Sequence, residues 1–363
     1  MSVSSTTRVL IMDAYPGKAI TDEIAHLLKL KAKVTLNINK LKNTSFNCNL
    51  EGVNTVDFNL EDKDQVIQCI KHGNIGYTII QLWTNILFDR EIIETACSSK
   101  LINRLKLIAQ PGVGTDHIDC EAATDNDVIV INTPGCNANA VAELIMGQML
   151  ALARNISYID SQAHQGIWTN QVKDLPYFEL SGKTLGIVGL GNTAMALIPK
   201  AQAFGMTIIG YSRSQKTVEG VKVTQDLHEV LKNSDIVSMH VPLTPETKNL
   251  IGSNELKIMK KGSLLINDSR GGVIDEDALA SELKKPDRSI SRAAVDTFAN
   301  ERSVFKTPLE GLSNVLLTSH LGGRTPESLE KSLVTVTECI VNFINNSLKF
   351  PVANKSVLKK YPE

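Results

Sequence analysis

Gly189-Leu190-Gly191-Asn192-Thr193-Ala194 spells G-x-G-x-x-A, with an apolar run from Leu185 to Val188 before it and a helical pattern from Ala194 to Phe204 after it. In that context the spacing has a physical purpose. The first glycine permits a tight turn, and the second lets backbone N–H groups approach a pyrophosphate. The small third residue lets the helix pack on the strand. The helix N-terminus then faces the negative charge. Gly189, Gly191, Asn192, Thr193 and Ala194 are therefore candidate contacts to a dinucleotide. The next strand ends at Tyr211, where a carboxylate would receive the ribose hydroxyls of NAD. Ser212-Arg213-Ser214 stands there instead, and the nearest later acid, Glu219, is too far along. A guanidinium flanked by hydroxyls can bind a 2′-phosphate that a carboxylate would repel. NADP(H) is the preferred expectation, with NAD(H) as the alternative.

Three later segments carry charged side chains behind apolar runs: INDSRGGVIDEDAL with Arg270, AAVDTFANER with Asp296 and Glu301, and LLTSHLGGRT with His320. Each falls at a strand end, where doubly wound proteins place ligands. Arg270 and Glu301 are 31 residues apart, and Glu301 and His320 are 19 apart. Each separation carries the chain through one further unit and back to the same edge.

The elements that must position these residues alternate along the chain. Early strands are expected at Arg8–Asp13, Tyr77–Leu82, Leu105–Gln110 and Val128–Asn132, and a helix over Thr21–Leu30 behind a threonine cap. A second series is expected at 184–190, 207–211, 235–241, 263–267, 293–298 and 314–320. Strand and helix in alternation indicate parallel sheets covered on both faces. Ten strands exceed one comfortable open sheet, so the expected fold class is α/β with two doubly wound domains. Between the two series a long helix starts near Asn137 or Asn139 and is apolar on most faces, which suits a domain or subunit interface. The last helix, roughly 326–345, could return the chain to the first domain.

Composition narrows the function classes. The 363 residues are 42% hydrophobic and 21% charged, with 38 basic and 39 acidic side chains for a net charge of -1. No global basic field exists for nucleic acid or anionic lipid. The longest charge-free apolar stretch, Leu144–Ala153, is about half of a bilayer crossing. No basic segment precedes an apolar run at the amino terminus, so no signal peptide is expected and the location is cytoplasmic. Six scattered cysteines and seven histidines show no metal spacing, and the cysteines are read as reduced small hydrophobes. No metal is expected.

The ordered motifs GVGTDHID (112–119), NTPG with VAE (132–143), GLGNTA, HVPLTPETKNLIG (240–252), SRGGVIDEDAL, DTFANE and HLGG together resemble the D-isomer-specific 2-hydroxyacid dehydrogenase family over nearly the whole chain. The resemblance implies a Rossmann cofactor domain (134–322) inserted in a discontinuous flavodoxin-like substrate domain (1–133 completed by 323–363). It implies hydride transfer between NAD(P)H and a small 2-keto or 2-hydroxy acid. Arg270 would hold the substrate carboxylate, His320 would be the acid/base, and Glu301 would bond the other imidazole nitrogen. A positioned imidazolium suits an oxygen that gains negative charge as hydride arrives, and a carboxylate fixes its ring. Asp296 would contact the nicotinamide amide, with Val241, Pro242, Thr247, Asp268, Gly322 and Gly323 also around the cofactor. The backbone of Val113 and Gly114 would meet the substrate from the other domain. His117, His164 and His240 are expected to be structural or exposed.

The sequence departs from the family pattern at Arg302 and Ser319, where prolines are usual, while Glu301 separates it from the formate-oxidising branch, which carries an amide there. In Leu82-Trp83-Thr84-Asn85, Trp83 stands where relatives acting on phosphorylated acids use a basic residue. Trp83 is thus a candidate substrate contact offering area and one donor but no charge. Hydroxypyruvate, glyoxylate or a sugar-derived 2-keto acid is favoured, with 3-phosphoglycerate as the alternative substrate. A nucleotide-sensing corepressor on the same fold is the alternative function. A homodimer through the cofactor domain is the expected assembly.

Overall fold

The computed structural model describes residues 7–83, 86–168, 177–301 and 305–361. Thr84, Asn85 and Arg302, weighed above, lie outside the described residues. The contacts divide the chain into two compact units, 1–136 with 326–363, and 137–325. Each cut falls three residues beyond the expected boundaries at 133 and 322.

The first unit contains β1 (Arg8–Ile11), α1 (Lys18–Lys29), β2 (Lys33–Asn37), β3 (Val53–Val56), α2 (Lys63–Lys71), β4 (Ile79–Gln81), α3 (Arg90–Ala96), β5 (Leu107–Ala109), α4 (Cys120–Asp125) and β6 (Ile129–Ile131). Its six strands are ordered β3-β2-β1-β4-β5-β6, all parallel, with Val9 opposite Val34 and Ile79. This is the flavodoxin order with one strand added outside β2. The sequence reading missed β2 and β3. The edge strand β3, Val-Asn-Thr-Val, has only two apolar residues, both half-buried. The core strands are apolar on both faces because both are covered: Val9 and Ile11 join one buried cluster, Leu10 and Met12 another. Thr21 is not the cap of α1. The helix starts a turn earlier after Gly17, and the Thr21 hydroxyl donates to the Gly17 carbonyl.

The second unit contains α5 (Ala138–Arg154), α6 (Ile156–His164), β7 (Thr184–Val188), α7 (Asn192–Ala203), β8 (Thr207–Tyr211), β9 (Val221–Thr224), α8 (Leu227–Asn233), β10 (Ile236–Met239), α9 (Ser253–Ile258), β11 (Ser263–Asn267), α10 (Glu276–Leu283), β12 (Ile290–Val295) and β13 (Val315–Leu317). The order is β13-β12-β11-β10-β7-β8-β9, so the chain reverses between β10 and β7, the crevice where such sheets bind ligands. β9 was also missed, a short strand with one exposed lysine at the far edge. α5 packs Val141, Ile145, Met149 and Leu152 into one core with Leu185, Ile187 and Ile266. α11 (Pro326–Ile344) then belongs to the first unit, where Leu333, Val336 and Ile340 pack with Ile20, Ile24 and Leu27 of α1.

One core position of α1 is a carboxyl group. Glu23 is 1% exposed, and Gln81 at the end of β4 donates to its Oε2 at 3.2 Å, leaving Oε1 without a partner among the described residues. Burial pushes this carboxyl up to about 8, and the Gln81 amide only partly opposes it. The folded state therefore holds a proton that the unfolded chain releases near the ordinary carboxyl range. Stability falls as pH rises from that range to about 8 and is level beyond it. Glu23→Gln removes the titration and keeps the shape. In urea unfolding, its advantage over the native chain should grow from nothing near about pH 5 to on the order of 3 kcal/mol near about pH 9. An advantage independent of pH would reject the buried acid as its cause.

Candidate active site

The glycine-rich turn has the geometry that a pyrophosphate needs. Gly189 has φ 102°, and a Cβ there would lie 2.6 Å from the His240 carbonyl and 2.8 Å from Val241 Cγ1. Only glycine fits. Gly191 caps α7, and a Cβ built on it would meet nothing within 4 Å, so open ground lies before the helix N-terminus. The first N–H groups of a helix lack helical acceptors, which makes Asn192, Thr193 and Ala194 a set of donors and fits the turn to an anionic cofactor. Ala194 is fully buried against the sheet.

Beyond β8, Ser212 is buried while Arg213 and Ser214 are exposed. The Gln225 side chain donates to the Arg213 carbonyl at 2.7 Å, anchoring that loop. Lys216, which the sequence reading passed over, donates from Nζ to the Leu190 carbonyl at 3.0 Å. It brings a second cation across the glycine turn; its signal was a basic residue three places after Arg213. In the loop after β10, Val241 is half-buried and Pro242 exposed. Thr247 is buried with its hydroxyl donating to the Pro242 carbonyl at 2.6 Å and accepting from the Thr244 N–H at 2.7 Å. It pins this loop from within.

His320 and Glu301 meet. His320 Nδ1 is 2.7 Å from Glu301 Oε2, and the Phe298 N–H donates to Glu301 Oε1 at 3.0 Å. Partial burial alone would raise the Glu301 carboxyl. The His320 hydrogen bond and charge, with the Phe298 N–H and the nearby Arg270, outweigh it and hold the group below its ordinary range. Arg270 thus acts electrostatically on the same carboxylate. Its guanidinium also donates to the Ser269 carbonyl at 2.7 Å, and Asn267 Nδ2 donates to the Arg270 carbonyl at 3.0 Å. Asp275 caps α10 through the Ala278 N–H, and Glu276 accepts from the Ala299 N–H and the Thr307 hydroxyl. These acids have partners of their own. Gly271 has no room for a Cβ, which would overlap the Phe298 carbonyl group, so the loops carrying Arg270 and Glu301 touch backbone to backbone.

Asp296, 1% exposed at the end of β12, organises the His320 loop. Its Oδ1 accepts from the Thr318 hydroxyl at 2.6 Å and the Leu321 N–H at 2.8 Å, and its Oδ2 from the Gly322 N–H at 3.0 Å. The His320 N–H donates to the Asp296 carbonyl at 2.8 Å, and His320 itself adopts the left-handed φ of 54°. A β-substituted residue held there carries strain that the surrounding bonds must offset. Gly322 and Gly323 leave space for Asp296 and Asn137; a Cβ on either would crowd those side chains at 3.3 Å and 2.9 Å. Asp268 is 8% exposed at the end of β11. His240 ends β10 with Nε2 2.9 Å from the Ser238 hydroxyl, and burial depresses its imidazole to about 4, so it stays neutral. His117 is buried, and His164 is exposed on α6 beside Asp160.

In the first unit, the Trp83 N–H donates to Asp13 Oδ1 at 2.6 Å, and its ring meets Tyr15 edge to face at 4.9 Å. Lys40 lies 3.6 Å from Asp13 Oδ2, its charge matched by that buried carboxylate. Val113 and Gly114 follow β5, with the Val113 carbonyl accepting from Asn132 Nδ2 at 2.8 Å.

Among the described residues no group of three metal-binding side chains gathers, and no helix is long and apolar enough to cross a membrane. Residues 146–322 match the NAD binding domain of the D-isomer specific 2-hydroxyacid dehydrogenases. A glyoxylate reductase of Thermococcus litoralis is 39% identical over 76% of this chain and 82% of its own length. A D-3-phosphoglycerate dehydrogenase of Methanocaldococcus jannaschii is 38% identical over 80% of this chain, which spans only 54% of that longer relative. The crystal structure of a glyoxylate reductase from Paecilomyes thermophila superposes with a TM-score of 0.80 at 25% identity, covering 97% of this chain and 99% of the other. With its parallel sheets, glycine turn and matched sequence, the chain belongs to the D-isomer specific 2-hydroxyacid dehydrogenase family.

Proposed function

We propose that the protein reduces a small 2-keto acid to the 2-hydroxy acid with NADP(H) preferred over NAD(H), acting on hydroxypyruvate, glyoxylate or a sugar-derived 2-keto acid. The observation that supports this reading most is the 2.7 Å contact of His320 Nδ1 with Glu301 Oε2. With Nδ1 tied to a carboxylate, Nε2 is the atom left to serve a substrate oxygen. The nicotinamide cofactor, when bound, supplies the hydride. His320 gives its proton to the carbonyl oxygen as negative charge develops there, and takes it back from the hydroxyl in the reverse direction. Glu301 keeps the ring oriented and offsets its charge. Arg270 holds the substrate carboxylate through paired N–H donors, which explains a guanidinium rather than an amine. Trp83 presents a neutral surface, and Lys40 is already matched by Asp13, so an uncharged distal group suits this edge better than the phosphate of 3-phosphoglycerate.

His320→Ala should lower kcat by about 10²–10⁴-fold in NADPH oxidation with hydroxypyruvate or glyoxylate. Arg270→Ala should lower kcat/KM at least about tenfold, chiefly through substrate binding. Full turnover in either variant would remove that residue from the mechanism. Cofactor binding without turnover on any 2-keto acid of a panel that includes the phosphorylated acid would favour a sensor.

The cofactor preference rests on Ser212, Arg213 and Ser214, with Lys216 adding charge nearby. Arg213→Ala should weaken NADPH by about tenfold or more and NADH little, measured by fluorescence titration. Equal losses for both would remove the 2′-phosphate argument. For assembly, α5 with the exposed Ile156, Trp168, Tyr177, Met195 and Phe204 of the same unit supports a homodimer. Light scattering should give twice the chain mass of 39.6 kDa, and a monomer mass would reject the dimer.

A further inference from the structure

The inference concerns Asp268 and rests on the dinucleotide reading above. Asp268 follows β11, level with Asp296 after β12, because Asn267 pairs with Val295. By strand alternation both side chains emerge on the face of Ile266 and Ala294, which is the face covered by α5. Gln148 of α5 is 2% exposed there, and its carboxamide is the neighbour that eases the charge of the Asp268 carboxyl. Neither oxygen of Asp268 and neither amide atom of Gln148 makes a hydrogen bond of good geometry among the described residues. Asp296, by contrast, takes three donors. A buried carboxyl and a buried carboxamide, both unsatisfied at the ligand edge of a sheet, are costly unless a ligand completes them.

We propose that Asp268 is a specificity residue for the oxidation state of the cofactor: as a neutral acid it accommodates the reduced nicotinamide, and as a carboxylate it favours the cationic oxidised ring.

The groups facing Asp268 are few. From β12 comes the Asp296 carboxylate, from α5 the neutral Gln148, and from β10 His240, which burial keeps uncharged. On its own loop, Arg270 directs its charge to Glu301. Burial first, then the negative charge of Asp296, push the Asp268 carboxyl well above its ordinary range. Burial and the neighbouring charge of Asp296 both favour the protonated form of Asp268, whose own charge appears only as pH rises. A pyridinium ring beside that charge is attracted by it, and a neutral dihydropyridine is not.

The test is binding alone, without substrate. Dissociation constants of oxidised and reduced cofactor are measured across neutral to alkaline pH for the native chain, Asp268→Asn and Asp268→Ser. All three are repeated with His320→Gln, which removes the imidazole from the comparison. With Asp268 present, the ratio of oxidised to reduced dissociation constants should fall about tenfold as pH rises, with or without His320. In both Asp268 variants it should stay flat at the low-pH value. A pH-dependent ratio that survives in the Asp268 variants on the His320→Gln background, or a flat ratio in the native chain, would overturn the inference while leaving the reductase reading intact. Failure of every form to bind either cofactor would overturn both.

Discussion

The carboxylate of Asp296 is the interaction on which the site depends. A strand that ends at Leu317 must turn within a few residues and still present an imidazole at a fixed position. Its own backbone resists this, since His320 sits in a region that L-residues avoid. Asp296 answers with two oxygens that accept one hydroxyl and two backbone N–H groups of that turn, while its carbonyl takes the His320 N–H. Charge-assisted bonds of this kind are among the stronger ones in a folded chain. The imidazole is thus placed through its main chain first and through Glu301 second.

The second constraint is steric. Three strand-end loops bring Asp268 to Arg270, Asp296 to Glu301 and His320 to Gly323 to one edge, and they can do so only where side chains are missing. Gly271 allows backbone contact with Phe298, Gly189 allows contact with His240, and Gly322 makes way for Asp296. The glycines therefore set the separations on which the charged groups rely. This explains why the family motifs are recognisable as strings: a charged residue next to a glycine records both the chemistry and the clearance it needs.

Much of this was legible in the sequence. The ten strands with continuous apolar runs emerged because a parallel sheet covered on both faces leaves no alternation to confuse the pattern. β2, β3 and β9 escaped for the opposite reason. β3 and β9 are four-residue edge strands with polar positions, and β2, though mostly buried inside the sheet, interleaves Val34 and Leu36 with Thr35 and Asn37, so none of the three shows an apolar run. Thr21 misled because a threonine inside the first turn carries the same signal as a cap. The charged trio stood out through motif order, whereas the contacts of Lys216 and Gln148 were hidden. A lysine in a loop and a polar residue on a helix face say nothing until the partner segment is in place.

Glu23 and Asp268 show how position decides what a buried acid means. Both are displaced upward by burial, and both lack a full set of partners. Glu23 lies buried on α1 against the end of β4, with the Gln81 amide as donor and no second charge, so its protonation is settled by folding alone and its cost appears as stability. Asp268 lies at the ligand edge beside a second acid, where its proton can be exchanged against the charge of whatever binds. In the first case, replacing the acid by its neutral isostere removes a penalty. In the second it removes a means of discrimination, because a carboxyl that can be neutral or charged at that edge interacts differently with two charge states of a ligand.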